Sequence, residues 1–326
     1  MMSAYDYELP ASAIAQTPIE PRDAARLLVA VAEDESVQHR RIVDLPDVLD
    51  EGDLLVVNET RVLPARLHLS KSTGGSAEVF LLERLDDNGM WEALVKPGRR
   101  LPEGTVLTAK DLTVEVGDKL EDGRRRVRVV GDIANQGEVP LPPYIHEPLE
   151  DPERYQTVYA SAPGSVAAPT AGLHLTDAVL ERCRARGIGL AKVDLAVGLD
   201  TFRPVTAERA EDHKIHSERY RVSEETLEAC RNANRVVAVG TTTVRALESA
   251  ALGTLEGRTE LFIHGDFDFR IVDVLLTNFH LPRSSLLLLL SAFAGDRWRD
   301  LYKCALAEEY RFLSFGDAML VSRAAP

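Results

Sequence analysis

Cysteine is scarce: the 326 residues hold three, Cys183, Cys230 and Cys304, an odd and widely spaced set. Such a set builds no disulfide framework and matches no zinc spacing, so all three are expected as small core side chains. Long apolar runs are missing as well. The five leucines at 286–290 fall far short of the roughly 20 apolar residues that a membrane span requires. The amino terminus, Met1 to Glu8, lacks the basic and apolar regions of a signal peptide, and the expected location is the cytoplasm. Positive charge is in deficit too. With 38 Lys and Arg against 52 Asp and Glu the formal charge is −14, which argues against a protein that coats nucleic acid non-specifically and leaves room for a local basic patch. Internal repeats and low-complexity tracts are absent.

What is present is an ordinary globular composition, 45% hydrophobic and 28% charged, in a chain long enough for two domains. Leu54–Val57 is a continuous apolar run, as in a strand buried on both faces, and Asn58 to Arg61 form its polar end, either a ligand-facing strand end or a capped turn. From 67 to 153 short β-like runs alternate with turn signals. Ala77–Leu82, Trp91–Val95, Val106–Thr108, Leu112–Val116 and Arg126–Val130 are separated by pairs such as Gly74-Gly75 and Asp122-Gly123. That texture predicts a small all-β barrel or sandwich. After 154 helices and strands alternate: Thr176 caps a helix that stops at Gly187, Ser223 caps another, and Arg235–Gly240 is a buried strand leading into a helix at Thr241. The expected fold class is an α/β (complex α+β) main domain, residues 1–66 plus 154–326, interrupted by an inserted β-barrel domain, residues 67–153.

The chemically densest stretch is Leu276-Thr-Asn-Phe-His-Leu-Pro-Arg-Ser-Ser285, where an amide, an imidazole, a guanidinium and two hydroxyls precede the leucine run. Pro282 favours a helix starting just after it, capped by Ser284 or Ser285. Gly240-Thr-Thr-Thr243 lies between a strand and a helix start, where free N–H groups and hydroxyls suit an anion or a ribose as well as a simple cap. Arg245 and Glu248, one turn on, either pair with each other or face a ligand. His174, behind the small-residue turn Pro169-Thr-Ala-Gly172, is an acid/base candidate or a hydrogen-bonded loop histidine. His213 and His216, with Asp212 and Glu218 nearby, match no zinc spacing, and no metal is expected. On a strand Arg124, Arg126 and Arg128 share one face, and with Arg99 and Arg100 they are the best candidate RNA-binding patch, the alternative being a solvated face.

Together these stretches resemble one family, the S-adenosylmethionine:tRNA ribosyltransferase-isomerases of queuosine biosynthesis. The matching segments include Arg22–Leu28, Val57–Val62, Pro140–Ile145, Gly164–His174, Thr201–Val205, His216–Glu218, the 240–249 turn and helix, residues 277–295 and Tyr310–Met319. The resemblance implies an α/β domain interrupted by a β-barrel. It also implies transfer and isomerisation of the ribosyl moiety of S-adenosylmethionine (AdoMet) onto the 7-aminomethyl-7-deazaguanine base at the tRNA wobble position. Epoxyqueuosine-tRNA would form, with adenine and methionine released. AdoMet would be a co-substrate, the tRNA carrying the deazaguanine precursor the partner, with neither membrane nor obligate protein partner.

In that reaction His174 and His280 are acid/base candidates and Asp317 would orient a partner. Asn58, Arg61, Thr170, Gly172, Arg203, Gly240, Thr241, Thr242, Arg245, Asn278 and Ser284 would bind substrate. Three departures stand out: Ala196 where the family has a histidine, Asp200 where it has a glycine, and His264-Gly265 where it has Tyr-Pro. They keep two further readings open, a relative that binds tRNA without turnover and an AdoMet-consuming enzyme with a small-molecule acceptor.

Overall fold

The computed structural model describes residues 1–31, 36–198, 205–213, 215 and 217–324. In chain order the strands are β1 (Arg26–Ala30), β2 (Gln38–Arg41), β3 (Asp53–Asn58), β4 (Thr60–Val62), β5 (Arg66–Lys71), β6 (Ser76–Arg84), β7 (Met90–Lys96), β8 (Val106–Ala109), β9 (Leu112–Lys119), β10 (Arg124–Val130), β11 (Gly137–Glu138), β12 (Ala162–Ser165), β13 (Gly189–Leu195), β14 (Glu218–Val222), β15 (Arg235–Val239), β16 (Glu256–Thr259), β17 (Val274–Asn278) and β18 (Ala318–Ser322). The helices are α1 (Leu45–Val48), α2 (Asp177–Ala185), α3 (Glu224–Asn232), α4 (Thr241–Ala251), α5 (Ser285–Ala294) and α6 (Trp298–Ala307). The chain falls into two compact units, one of residues 1–60, 142–162 and 168–326, the other of residues 61–141 and 163–167.

The larger unit is built on a nine-stranded mixed sheet in the order β16-β14-β13-β3-β15-β17-β18-β1-β2. Its middle, β13-β3-β15-β17, is parallel. All six residues of β3 are buried, as its uninterrupted apolar run requires. Leu55, Val57, Val237, Val239 and Leu276 pack with Val179, Leu180 and Cys183 of α2 on one face. The intervening Val56, Ala238 and Leu275 are equally buried, so both faces are covered.

The helices start where local chemistry says they should. Thr176, Ser223 and Ser284 each accept an N–H of their own first turn, from Val179, Thr226 and Leu287. Each such cap contributes about 1 kcal/mol. Gly187, past the end of α2, has φ +77, a conformation that a side chain would strain. Leu287 to Leu290 of the leucine run are buried in α5, each apolar side chain contributing about 2 kcal/mol.

The smaller unit is a six-stranded antiparallel barrel, β5-β6-β7-β10-β9-β8, closed by β5 pairing with β8, with β11 added beside β5. Alternation fills it: Leu67, Leu69, Val79, Leu81, Val114, Val116 and Val127 point inward. Among the described residues no helix is long and apolar enough to cross a membrane.

Candidate active site

The four parallel strands at the middle of the larger sheet end on one side, where strand ends and helix starts meet, the usual seat of ligands in open α/β sheets. A cleft opens there, with about 560 Å³ of space between protein atoms, part of it open to solvent. Val197, just past β13, Gly240 to Thr242 after β15, and Thr277 and Asn278 at the end of β17 line it. Phe279, His280, Leu281, Ser284, Leu286, the 168–171 turn, Tyr144, Leu313 and Ser314 complete it. Gly240 holds φ +86 at the start of α4 and has no side chain to cap it, so the first N–H groups of the helix are left uncapped at the cleft. Two non-glycine residues also hold positive φ near this wall, Arg283 at +53 and Leu313 at +69, strain of the kind that clusters at functional sites.

His280 is the imidazole in the cleft lining. Its main chain is clamped at both ends: its N–H donates to the Tyr302 hydroxyl at 2.8 Å, and the Tyr7 hydroxyl donates to its carbonyl. Both tyrosines sit in an aromatic cluster in which Phe279 and Phe312 stack at 4.7 Å and Phe279 meets Tyr302 edge-on at 5.4 Å. Nε2 of His280 lies 3.0 Å from the Thr277 hydroxyl. Burial pushes its pKa down to about 3, so the ring is neutral at neutral pH.

Asn278 joins two other candidates. Its Oδ1 accepts from the Thr170 hydroxyl at 2.9 Å, and its Nδ2 donates to Nε2 of His174 at 3.0 Å. Nε2 of His174 is therefore the acceptor, and burial, followed by the nearby Arg311, Arg154 and Arg22, lowers its pKa to about 4. His174 is not in the lining of this cleft; it bears on it through Asn278. Asp317 is also a support. Its carboxylate accepts the backbone N–H groups of Arg26 and Arg311, both at 2.8 Å, and burial raises its pKa in spite of them.

Other expected site residues also make structural contacts. Asn58, fully buried, donates to the Leu195 carbonyl at 3.0 Å and the Thr242 hydroxyl at 3.3 Å while accepting from Leu195 and Thr60, which ties β3 to β13 and α4. Gly172 is a matter of packing, since a Cβ there would lie 1.9 Å from the Tyr159 hydroxyl. Ser284 lines the cleft and caps α5, and its hydroxyl donates to the Leu281 carbonyl. Glu248 does not pair with Arg245: it accepts three backbone N–H groups, from Arg270, Ile271 and Val272. Arg245 pairs with Glu218 instead and lies on a second cleft that shares Thr241 and Thr242 with the first. Arg61 lies on β4, outside the lining. Arg203 lies outside the described residues, as do Asp200 and His216.

Sequence reasoning missed Tyr144, Ser314, Tyr7, Tyr302 and Glu218 as site residues. Tyr144 and Ser314 share a hydrogen bond of 2.7 Å in the cleft wall. Their segments, 140–145 and 310–319, carried the family resemblance, which was the available signal. Among the described residues no group of three His, Cys, Asp or Glu is placed to hold a metal ion.

On the barrel, β10 alternates as its sequence demands. Arg125 points inward and donates to the carbonyls of Gly117 and Leu101, while Arg124, Arg126 and Arg128 turn outward. Arg124 is paired with Glu92 at 2.5 Å and Arg126 with Asp118 at 3.2 Å. Arg99 and Arg100 are exposed on the turn after β7.

The model of a family described as "Queuosine biosynthesis protein" matches residues 2–321. Similar over nearly their whole length are proteins named S-adenosylmethionine:tRNA ribosyltransferase-isomerase. That of Rubrobacter xylanophilus is 52% identical, covering 97% of this chain and 96% of its own; that of Thermus thermophilus is 51% identical, covering 98% and 99%. A crystal structure of S-adenosylmethionine tRNA ribosyltransferase from Thermotoga maritima is 39% identical with a TM-score of 0.57, covering 97% of this chain and 99% of that one.

Proposed function

The chain belongs to the queuosine biosynthesis family, and on that premise we propose that it carries the AdoMet:tRNA ribosyltransferase-isomerase activity for which its relatives are named. It is an enzyme whose substrates are AdoMet and a tRNA bearing 7-aminomethyl-7-deazaguanine. The products are epoxyqueuosine-tRNA, adenine and methionine. The cytoplasm, where tRNA and AdoMet meet, is the proposed location. The carrying observation is the end-to-end similarity to these relatives, at about half identity.

The cleft supplies the parts such a reaction needs. The sulfonium of AdoMet acidifies the adjacent 5′ carbon, and a neutral imidazole beside it can take the proton. His280 is that base in this proposal. It is uncharged at neutral pH, lines the cleft, and is held at its main chain by two tyrosines and at Nε2 by Thr277. The burial that keeps it neutral also disfavours the imidazolium, so the ring is a weaker base there than a solvated histidine. The amine of the deazaguanine is the nucleophile. Thr170, Thr241, Thr242 and Asn278 would hold the ribose and base, the uncapped N–H groups of α4 adding donors. His174 and Asp317 act as positioning residues behind Asn278 and the 311–317 turn.

The test mixes the purified protein, AdoMet and the tRNA bearing the aminomethyl base. Release of adenine together with the corresponding mass gain on the nucleoside is expected. Binding of the tRNA without adenine release would make the chain a binding protein, and adenine release with no tRNA present would point to a small-molecule acceptor.

A further inference from the structure

Residues Thr241 to Ala250 of α4 are all buried, so each polar side chain along it must find a partner or pay for its isolation. Glu248 takes three N–H groups, and the Ser249 hydroxyl lies 2.5 Å from that of Thr259. Arg245 is satisfied only in part. Its Nε donates to the Leu261 carbonyl at 3.1 Å, and its Nη1 pairs with Glu218, whose other oxygen accepts the Gly198 N–H at 2.8 Å. Nη2 has no hydrogen-bond partner among the described residues, although only 9% of the side chain is exposed.

Arg245 lines the second cleft, together with His213, Phe262, Leu289 and the first turn of α4. Glu218 already fixes the guanidinium plane, which leaves Nη2 as a pre-positioned donor rather than a mobile surface cation. A group with acceptor oxygens and negative charge satisfies it, and the uncapped start of α4 favours the same sign. Phe262 and Leu289 suit a short carbon chain behind that anion. Thr241, Thr242 and Leu286 line both clefts, so one ligand can lie across them.

We infer that the second cleft seats the carboxylate at the amino-acid end of AdoMet on Nη2 of Arg245, with the sulfonium and ribose reaching the main cleft past Thr241 and Thr242. The inference rests on the function proposed above. A phosphate of the tRNA has the same anionic chemistry. The carboxylate is favoured because it hangs from a single carbon and can reach a buried nitrogen, whereas a phosphodiester is flanked by two nucleosides.

The test titrates the full chain with AdoMet and with decarboxylated AdoMet, which keeps the sulfonium and amine and lacks only the carboxylate. The wild-type protein is expected to bind AdoMet about ten- to a hundredfold more tightly than the decarboxylated compound. Arg245→Lys keeps a cation for Glu218 and removes Nη2, so it is expected to erase that ratio while leaving affinity for decarboxylated AdoMet within about twofold. Equal wild-type affinity for the two compounds overturns the inference, and this comparison decides the matter even where the variant does not fold. A variant that keeps the ratio and raises only the KM for tRNA also overturns it, assigning the anion to a phosphate. A wild-type protein that binds neither compound removes the proposed function itself, a result distinct from AdoMet bound without regard to its carboxylate.

Discussion

The smaller unit carries thirteen Lys and Arg and thirteen Asp and Glu, so it is formally neutral, whereas the larger unit carries the whole −14 of the chain. Their polar groups are used in opposite ways. In the larger unit the side chains at the strand ends are buried and fixed one by one: His280 by Thr277 and two tyrosines, Asn278 by Thr170 and His174, Asp317 by two backbone N–H groups. On the barrel the outward arginines of β10 stand on a solvated face among carboxylates. Interactions of the first kind act at short range in a low dielectric and are insensitive to salt. Those of the second kind are screened over about 8 Å at physiological ionic strength. Net charge therefore says little about where an RNA would be held: the acidic excess belongs to the larger unit, while the best basic cluster the sequence offered belongs to the smaller one, with two of its five arginines paired to carboxylates.

The strongest way to break this contrast is at the cleft. His280→Ala is expected to lower turnover by about 10²–10⁴-fold, the usual worth of a general base, with circular dichroism and tRNA affinity unchanged. Near wild-type turnover would remove His280 from the mechanism and leave the cleft merely a binding surface. A second effect follows from the buried histidines. Unfolded, each has a pKa near 6.5; folded, His280 and His174 stay neutral down to about 3 and 4. Between those values the unfolded chain binds the extra protons, so stability is full above about pH 6.5 and falls as the pH drops toward 4, by up to about 1.4 kcal/mol per pH unit for each histidine. The raised carboxyls of Asp317 and Glu248 work in the opposite direction, so the readout is a difference. The melting temperature of His174→Gln should depend less on pH between 6.5 and 4 than that of the wild type. Parallel curves would show that His174 is not held neutral by its surroundings.

How much of this was legible in the sequence depended on how far the chemistry reaches along the chain. Caps are decided within three residues: the sequence located those at Thr176 and Ser223 and narrowed the third to Ser284 or Ser285, of which Ser284 is the cap. The burial of β3 on both faces and the outward face shared by Arg124, Arg126 and Arg128 follow from periodicity in one segment. The clamps on His280 do not, since Tyr7 lies 273 positions away and nothing near either residue announces the pairing. Arg245 and Glu248, at helical spacing, read either as partners or as ligand-facing. In a helix buried all round, Glu248 is captured by the 270–272 backbone, and Arg245 turns to Glu218 on another strand. Gly172 read as room for a ligand, and the room is taken by Tyr159, a residue that only the fold brings there. Asn58, at the end of a buried strand, read as ligand-facing or as a turn; it is a tie between strands.

The smallest effects belong to the barrel, and they sharpen the contrast by dividing its arginines. If the outer face contacts the tRNA backbone, replacing Arg99, Arg100 and Arg128 together by alanine should weaken tRNA binding and reduce the slope of log affinity against log salt by about 2, at roughly 0.7–0.9 per lost phosphate contact. Turnover at saturating tRNA should not change. Arg124→Ala and Arg126→Ala are expected to do less. Each arginine already has a carboxylate, Glu92 or Asp118, so an alanine there frees an acid as it removes a base. The exposed Arg126–Asp118 pair contributes about 0–1 kcal/mol to stability, so Arg126→Ala should melt close to the wild type and Arg124→Ala, whose pair is half-buried, somewhat lower, each shifting tRNA affinity by less than about fivefold. A paired arginine whose loss weakened tRNA binding more than the triple replacement would mean that RNA displaces the carboxylates and that the ion pairs are part of the recognition surface. An unchanged salt slope in the triple variant would take this face of the barrel out of RNA recognition altogether.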